Sequence, residues 1–393
     1  MRHKSSLLVG ATFLGVLLTL GLTARALDQA AAKADTVQAP RFEVDPMWPK
    51  PLPNQWLLGN VIGVAVDARD HIWIVHRVDT LTPNETAAAQ NPPTGTCCKA
   101  APPILEFDVD GTLLRSWGGP VAGAPYDWPA SNHGLFVDHK GLVWLGGNVG
   151  TDAQILKFTQ DGKFVAQYGK PGSRKSSNDI GNFGRPAKIF VDARQNEAYI
   201  ADGYQNKRVV VLNADTGEFK RYWGAYGNKP DDTDLGPYDP NAPAAQQFRT
   251  PVHCSDLSVD NFVYVCDRPN NRLQVFTREG KFVKEAFFFK KTLGDGAVWD
   301  VAFSRDPQQT YLYMADGKNE RVNILRRDTL ELLSSFGDGG RQPGQFFAVH
   351  SIVTDSKGNI YTTETYEGKR LQKFVFKGVG TVPRNQGVVW PGK

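Results

Sequence analysis

The chain has 393 residues, a formal net charge of +4, and 39 glycines and 25 prolines. This length would ordinarily suggest two or three domains. The charge is small for the size and the basic residues are spread through turns, which argues against a nucleic-acid-binding protein. Little amphipathic helical periodicity follows residue 40, so the composition favours a β protein rich in turns.

The first residues have the pattern of an export signal. A positively charged start precedes an uninterrupted run of apolar and small residues over 7–22, and small residues follow at the cleavage-determining positions. The run is short for a bilayer-spanning helix, so a cleaved signal peptide over 1–26 is favoured over an uncleaved anchor. Residues 27–40 are predicted to be a flexible leader. The mature protein is expected in the periplasm or outside the cell.

The rest of the chain repeats a short unit: an apolar run, an acidic turn and a second apolar strand. Six units occur, and they begin IGVAVD, HGLFVD, AKIFVD, HCSDLSVD, WDVAFS and HSIVTD. Each is followed by outer strands, and periods of roughly 45–70 residues with several short strands are typical of propeller blades. We therefore predict an all-β fold, a six-bladed β-propeller with about four antiparallel strands per blade, as a single domain over 41–393. Two long inserts, 80–102 and 226–247, are candidates for substrate-selecting loops or for simple surface loops.

A second motif recurs once in most units. It is Asn-x-Arg or Asn-Arg followed by an aliphatic residue, around Arg208, Arg272 and Arg321, with a variant at Arg370. An arginine that repeats with the blades more often braces the fold than binds a ligand, so we predict a structural role. With the aspartate turns and Asp-Gly turns, this motif resembles the NHL family of propellers. Segment 41–49 is a candidate for the strand that completes the last blade.

Three histidines, His133, His253 and His350, occupy the same slot in the second, fourth and sixth units. In a ring of six, alternate units lie about 120° apart and equivalent positions face one axis. Three converging imidazoles predict a metal site with an open position for water or substrate. A hydrogen-bonded strand-end histidine is the better interpretation of any one of them, but it is weaker for all three. Zinc suits this ligand set, while iron, copper and manganese remain open.

The second apolar strand of each unit brings further polar residues to the face on which the histidines lie. Their ends carry Arg77, Tyr204 and Arg268. Two guanidinium groups and a divalent cation stabilise a nearby phenolate, which can then act as a base. The arginines can also bind a carboxylate in bidentate fashion. The alternative for Tyr204 is a packed aromatic ring with a hydrogen-bonded hydroxyl.

Four cysteines fit an oxidising compartment. Cys254 and Cys266 flank one predicted hairpin, and a disulfide between them is favoured over two buried thiols. Cys97 and Cys98 are adjacent, so a vicinal disulfide and metal binding both remain open.

Together these segments resemble the catalytic domain of peptidyl-α-hydroxyglycine α-amidating lyase, an NHL propeller, over most of residues 55–378. In that family an H-R-x-D segment carries a catalytic arginine, P-H-G-L a zinc histidine and D-G-Y the catalytic tyrosine, and a later zinc histidine precedes D-R-x-N-x-R. The matching segments are HRVD at 76–79, NHGL at 132–135, DGY at 202–204 and DRPNNR at 267–272, with His350 as the last zinc histidine.

The resemblance implies a zinc-dependent carbon–nitrogen lyase that splits a carbinolamide, N–CH(OH)–COO⁻, into an amide and glyoxylate. It implies zinc on the three histidines, Tyr204 as the base, Arg77 as the residue that holds the tyrosine and stabilises its phenolate, and Arg268 as a substrate-orienting residue. Zinc would lower the pKa of the substrate hydroxyl. The expected partner is a small-molecule or peptide-derived substrate. We expect a monomer that binds neither nucleic acid nor, after signal cleavage, a membrane.

The chain departs from the family at three positions. Ala348 replaces a methionine, and Gln205 replaces a disulfide cysteine. Ser351 replaces an aspartate that holds a structural calcium ion, so calcium binding there is doubtful. Two alternative functions therefore stay open: a different metal-dependent hydrolase or lyase on the same scaffold, and a non-catalytic NHL propeller that binds a protein or a glycan.

Overall fold

The apolar repeats form strands that run up and down and pair with their sequence neighbours. The computed structural model describes residues 35–392, which form six four-stranded antiparallel sheets. The first strand of each sheet contacts the first strand of the next, and the sixth contacts the first. This contact pattern closes a ring around one axis and confirms the predicted six-bladed, all-β propeller.

The strands are numbered in chain order. They are β1 (Thr36–Asp45), β2 (Trp56–Leu57), β3 (Asn60–Val66), β4 (Ile72–Arg77), β5 (Lys99–Ala100), β6 (Ile104–Phe107), β7 (Leu113–Trp117), β8 (Asn132–Val137), β9 (Val143–Gly147), β10 (Gln154–Phe158), β11 (Phe164–Gly169), β12 (Lys188–Asp192), β13 (Glu197–Asp202), β14 (Arg208–Asn213), β15 (Phe219–Trp223), β16 (Val252–Leu257), β17 (Phe262–Asp267), β18 (Arg272–Thr277), β19 (Phe282–Phe287), β20 (Asp300–Phe303), β21 (Tyr311–Asp316), β22 (Arg321–Arg326), β23 (Glu331–Phe336), β24 (Val349–Thr354), β25 (Ile360–Glu364) and β26 (Leu371–Pro383).

Helical structure in this part of the chain is limited to single 3₁₀ turns. These are Pro53–Gln55, Val78–Thr80, Ala87–Ala89, Ala225–Gly227 and Arg268–Asn270. Over residues 35–392, no helix has the length and apolar character needed to cross a membrane.

Blades one to five are each continuous in sequence. They comprise β3-β4-β6-β7, β8–β11, β12–β15, β16–β19 and β20–β23, whereas blade six combines β24, β25 and β26 with β1. The short strands β2 and β5 pair in parallel outside the ring.

The N-terminal strand closes the ring. It pairs antiparallel with β26, from Thr36 opposite Pro383 to Asp45 opposite Lys373. The candidate closing segment 41–49 therefore does contribute to blade six. The strand also takes in residues 36–40, which were expected in the leader. The predicted signal peptide lies outside the described residues.

The repeated aspartate of the inner hairpins has a local cause. Asp138 Oδ1 accepts hydrogen bonds from the backbone N–H groups of Lys140 and Leu142, which closes the turn between β8 and β9. Its other oxygen accepts a hydrogen bond at 2.8 Å from the indole of Trp144, a fully buried side chain. An Asx turn of this kind satisfies backbone donors where the strand ends, so the acidic turn recurs for structural reasons.

The repeated arginines tie the second strand of a blade to the loop that enters it. Arg272 is fully buried and donates to Asp267 Oδ2 from Nε at 3.0 Å and from Nη2 at 2.6 Å. It also donates to the carbonyl of Ala245. Arg208 makes the same bond to Asp202 and reaches three carbonyls between blades two and three. Arg370 makes such contacts with Glu364 and Gln345, whereas among the described residues Arg321 donates only to the carbonyl of Asn319, so the predicted bracing is seen at three of the four positions.

We expect Arg272→Leu to lower the free energy of unfolding by about 3–5 kcal/mol, because it leaves the buried carboxylate of Asp267 without its partner. Urea unfolding followed by tryptophan fluorescence measures the change. Arg384→Ala is the control, since Arg384 forms an exposed pair with Asp35 and such pairs contribute about 0–1 kcal/mol. Equal effects of the two substitutions would contradict the bracing role.

Both cysteine pairs are joined. Cys254 and Cys266 face each other across β16 and β17 and form the predicted disulfide. Cys97 and Cys98 form a vicinal disulfide in the first insert, so neither thiol is free to bind a metal.

Candidate metal centre

Each inner strand that carries a candidate histidine has a β-bulge at that histidine. The pairing register shifts between His133 and Leu135 in β8, between Val252 and Cys254 in β16, and between Val349 and Ile352 in β24. Of the intervening blades, β12 and β20 pair without a shift, whereas β3 has the same bulge between Val61 and Gly63, at Ile62. A bulge re-aims a side chain out of the strand's simple alternation. Here it occurs where the strand starts, at one face of the ring.

The three histidines meet at the axis. One ring nitrogen from each lies within 4.8 Å of the others. The ring centroids are 4.8–5.4 Å apart, and no more than 3% of any of the three residues is exposed. Residues separated by more than two hundred positions thus form one compact group of nitrogen donors.

The hydrogen bonds of the three rings determine which nitrogen is free. His133 Nδ1 donates to the carbonyl of Ala187 at 2.7 Å, and His253 Nδ1 donates to that of Trp299 at 2.6 Å. A carbonyl oxygen only accepts, so Nδ1 carries the hydrogen in both rings. Burial lowers the pKa of both imidazoles well below the usual value, which keeps them neutral. Their Nε2 lone pairs are therefore available.

His350 is oriented through a serine. Its Nδ1 lies 2.9 Å from Ser351 Oγ, and that hydroxyl donates to the carbonyl of Ile62 at 3.2 Å. Since the hydroxyl hydrogen is used on Ile62, Oγ accepts from Nδ1. Burial also holds the pKa of His350 well below its usual value. The carbonyl oxygens that finally accept these hydrogen bonds belong to Ile62, Ala187 and Trp299. These three residues occupy the slot of the histidine in the blades that lack one.

This donor set fits a divalent transition metal. Three neutral imidazoles present Nε2 towards one another, and a carbonyl or hydroxyl acceptor positions each ring from behind, as is usual for metal-bound histidine. The serine that departs from the lyase family thus performs a defined task beside His350.

We expect Ser351→Ala to weaken binding of zinc by about 10–100-fold, because His350 loses the acceptor that orients its ring. Competition with a chromophoric chelator measures the affinity. Ser255→Ala is a matched control, because Ser255 is also buried in an inner strand but its hydroxyl has no partner among the described residues. Unchanged affinity in Ser351→Ala would show that the serine does not position the histidine.

Tyr204 reaches the histidines from the end of β13. Its hydroxyl lies 3.0 Å from His133 Nε2 and 3.1 Å from His253 Nε2. Arg268 follows β17, and its Nη1 lies 3.4 Å from the same hydroxyl. The guanidinium group of Arg268 also stacks over Trp299 at 4.5 Å from the ring centroid. The phenol is therefore next to two of the three histidine nitrogens and to a cation.

Arg77, at the end of β4, lies on the opposite side of the group. Its Nε donates to the carbonyl of Asn132 at 3.1 Å, and its Nη2 donates to Asn148 Oδ1 at 2.7 Å. Burial lowers the pKa of Arg77, whereas the nearby Tyr204 and Asp79 act in the opposite direction. Arg77 thus carries its charge beside Tyr204 without forming the direct contact that the resemblance implied.

Tyr366 is a residue of this site that the sequence analysis missed. Its hydroxyl lies 3.3 Å from Asp295 Oδ2, and Asp295 Oδ1 lies 3.4 Å from Arg268 Nη2. Its ring packs edge-on against Trp299. It follows β25 as Tyr204 follows β13, so an alignment of TETYEGKR with ADGYQNKR would have found it.

Other groups of potential ligands on the described chain are neutralised by neighbouring cations. Behind the histidines, Lys188 Nζ lies 2.8 Å from Asp256 and 2.5 Å from Asp300. Burial raises the pKa of both carboxyls, and the lysine opposes that shift. On blade one, Glu106 is paired with Arg69 at 3.1 Å. Of the three groups on the described chain, only the histidine group has potential ligand atoms that are not paired with a cation.

The chain was compared with known proteins. No protein-family profile matches it. It is 27% identical to mouse NHL repeat-containing protein 3 over 361 residues, which cover 86% of this chain and 85% of the mouse protein. It is 26% identical to mouse peptidyl-glycine alpha-amidating monooxygenase over 325 residues, which cover 80% of this chain and 30% of that protein.

Among solved structures, virginiamycin B lyase from Staphylococcus aureus is similar, with 15% identity, a TM-score of 0.47, and coverage of 88% of this chain and 89% of the lyase. The six-bladed fold and the two sequence similarities together support an NHL-repeat propeller.

Proposed function

We propose that the protein is an exported, metal-dependent lyase that cleaves the C–N bond of an α-hydroxyglycine-type carbinolamide to give an amide and glyoxylate. The observation that carries this proposal is the position of the Tyr204 hydroxyl, 3.0 and 3.1 Å from two of three converging, neutral histidines. A base next to a metal site is what removal of a hydroxyl proton needs. The similarity to peptidyl-glycine alpha-amidating monooxygenases, which covers about a third of their length, supports a reaction that forms an amide.

The three histidines would hold zinc or another divalent transition metal, which supplies Lewis acidity towards the substrate hydroxyl. Tyr204, as the phenolate, takes the hydroxyl proton. The electron pair of the O–H bond becomes the second C=O bond of glyoxylate, and the C–N pair leaves on the amide nitrogen. That nitrogen takes the proton back from Tyr204, which restores the phenolate. Atoms and electrons balance without an oxidant.

The two arginines stabilise charge on either side of this step. Arg268 is held by Asp295 and Trp299 with Nη1 at 3.4 Å from the phenol oxygen, so its positive charge lies beside the atom that takes the proton. Arg77 is buried and fixed by two hydrogen bonds, and it is close enough to Tyr204 for the two groups to interact electrostatically. The guanidinium group of Arg268 also suits the carboxylate of an α-hydroxyglycine.

The direct test is to incubate the purified protein with α-hydroxyhippurate and to measure glyoxylate, with and without a chelator. Metal-dependent glyoxylate release is the expected result. No release from several carbinolamides would overturn the proposal. Turnover of another hydroxylated compound class instead would favour the alternative metal-dependent hydrolase or lyase, which Ala348 and Ser351 motivate.

A second candidate is a non-catalytic NHL propeller that binds a protein or a glycan. The similarity to NHL repeat-containing protein 3, which extends over 86% of this chain, favours it. Metal content separates the two candidates, since a binding module gives no reason for the three histidines to hold an ion. Export is proposed from the N-terminal sequence pattern, and the two disulfides are compatible with an oxidising compartment.

A further inference from the structure

We infer that the substrate carries an apolar acyl group, which lies in a pocket between blades one and two, and that the amide N–H of the substrate donates to Asn132 Oδ1. This inference rests on the proposed function and deepens it by naming the acyl end of the substrate. It also assigns a binding site that lies outside the histidine group.

The pocket has a volume of about 750 Å³. Its wall is built from the first insert and from the loop between blades one and two, and it includes Trp56, Val78, Pro102, Trp128 and Pro129. Asp79 is the one charged residue in this wall. Concave, mostly apolar pockets of about 300–1,000 Å³ are typical of small-molecule sites.

The pocket adjoins the candidate metal centre. Asp79 lies two positions after Arg77 in the chain, and Asn132 directly precedes His133. The carbonyl of Asn132 accepts the hydrogen bond from Arg77 Nε, so one wall residue contacts one arginine of the centre and is bonded in the chain to a histidine. A ligand held at the histidines can therefore extend into this pocket.

Asn132 has an unused acceptor at the junction. Its side-chain amide donates to the carbonyl of His76 at 3.0 Å, which orients the group. Its Oδ1 is buried and has no hydrogen-bond partner among the described residues. Leaving a buried polar atom unpaired is unfavourable, so such atoms usually await water or a ligand. In R–CO–NH–CH(OH)–COO⁻ the N–H is one bond from the hydroxyl-bearing carbon and directly next to the acyl group.

The opposite side of the centre differs in charge. There a pocket of about 500 Å³ is lined by Lys207, Arg249 and Arg268, with Asp234 and Asp295. The Nε of Arg268 is buried without a partner among the described residues. Cations on this side and an apolar wall on the other orient the substrate, with its carboxylate towards blade four and its acyl group towards blades one and two.

The first experiment measures binding of two unreactive analogues, N-benzoylglycine and N-acetylglycine, to the metal-loaded full-length protein by calorimetry. Wild type is expected to bind the benzoyl compound more tightly by about tenfold or more, because only its ring fills the pocket. Ala130→Trp fills the pocket from an exposed wall position without removing any packing, and it is expected to abolish the preference. Ala193→Trp is the control, in an exposed turn at the far end of β12, and it should keep the preference.

The second experiment tests the acceptor. N-benzoylsarcosine lacks the amide hydrogen and should bind wild type about tenfold more weakly than N-benzoylglycine. In Asn132→Ala the two compounds should bind equally. Equal binding of the benzoyl and acetyl glycines by wild type, or a benzoyl preference that survives Ala130→Trp, would overturn the pocket. An N–H preference that survives Asn132→Ala would overturn the role of Asn132.

These binding results can be distinguished from failure of the proposed reaction, because binding is measured without turnover. If carbinolamides are not cleaved but the benzoyl preference exists and disappears in Ala130→Trp, the lyase proposal fails and the pocket stands. If glyoxylate forms from acetyl and benzoyl carbinolamides with equal kcat/KM, the lyase stands and the acyl pocket is wrong.

Discussion

We expect wild-type protein to hold about one equivalent of metal per chain on the three histidines, and the His253→Ala protein to lose it. His253 is buried, its Nδ1 is committed to the carbonyl of Trp299, and its Nε2 faces the other two rings. Removing it leaves two imidazoles, and a three-ligand site then loses both affinity and geometry. Elemental analysis of the purified protein measures the loss, and glyoxylate release should fall to the level of the chelated wild type.

His139→Ala is the matched control for this substitution. His139 is exposed in the turn between β8 and β9, away from the axis, so its removal should leave the metal content unchanged. Thermal unfolding of both variants shows whether the propeller stays folded. Equal metal content in folded His253→Ala and wild type would mean that the ion, if present, binds elsewhere.

The second large effect is expected from Tyr204→Phe. We expect its kcat to fall by about 10²–10⁴-fold, because the substitution removes the general base and keeps the ring. Its metal content should stay close to that of the wild type, since the three imidazoles are unchanged. Steady-state glyoxylate release and elemental analysis on the same preparation separate loss of the base from loss of the ion.

Tyr222→Phe serves as the control for loss of a phenol hydroxyl. Tyr222 lies in β15, the outermost strand of blade three, and its hydroxyl donates to Asn178 Oδ1 in the loop that enters this blade. This variant should turn over normally. If Tyr204→Phe keeps full activity, another group removes the proton, and Tyr366 across the site is then the first residue to substitute.

Much of the fold could be predicted from the sequence because each blade repeats the same short sequence motifs. The aspartate turn, exemplified by Asp138, and the bracing arginine, exemplified by Arg272, are satisfied within one blade or its entering loop. Because these bonds are short-range, the residues that form them recur at regular intervals in the sequence. The closing strand was only partly predicted, since β1 is a lone segment and its pairing partner β26 lies at the other end of the chain.

The candidate site could be predicted in part for the same reason. Equivalent positions in superposed repeats face the same way, so His133, His253 and His350 could be grouped before any distance was known. Tyr366 was missed because its repeat ends in Glu364-Thr365, whereas that of Tyr204 ends in Asp202-Gly203. The shared position is visible once the two segments are aligned on the Lys-Arg pair that follows each tyrosine.

The sequence by itself determined the number of blades, the alternation of the histidines and the face on which the arginines and Tyr204 lie, because these follow from a repeat period and from side-chain alternation in strands. Only the tertiary structure decided how the rings are oriented. The bulge at each histidine turns its side chain out of the strand alternation, and the carbonyls of Ala187 and Trp299 and the Ser351 bridge to Ile62 connect each histidine to the next blade. Bonds between distant segments depend on how the ring closes, and they leave no periodic pattern in the chain.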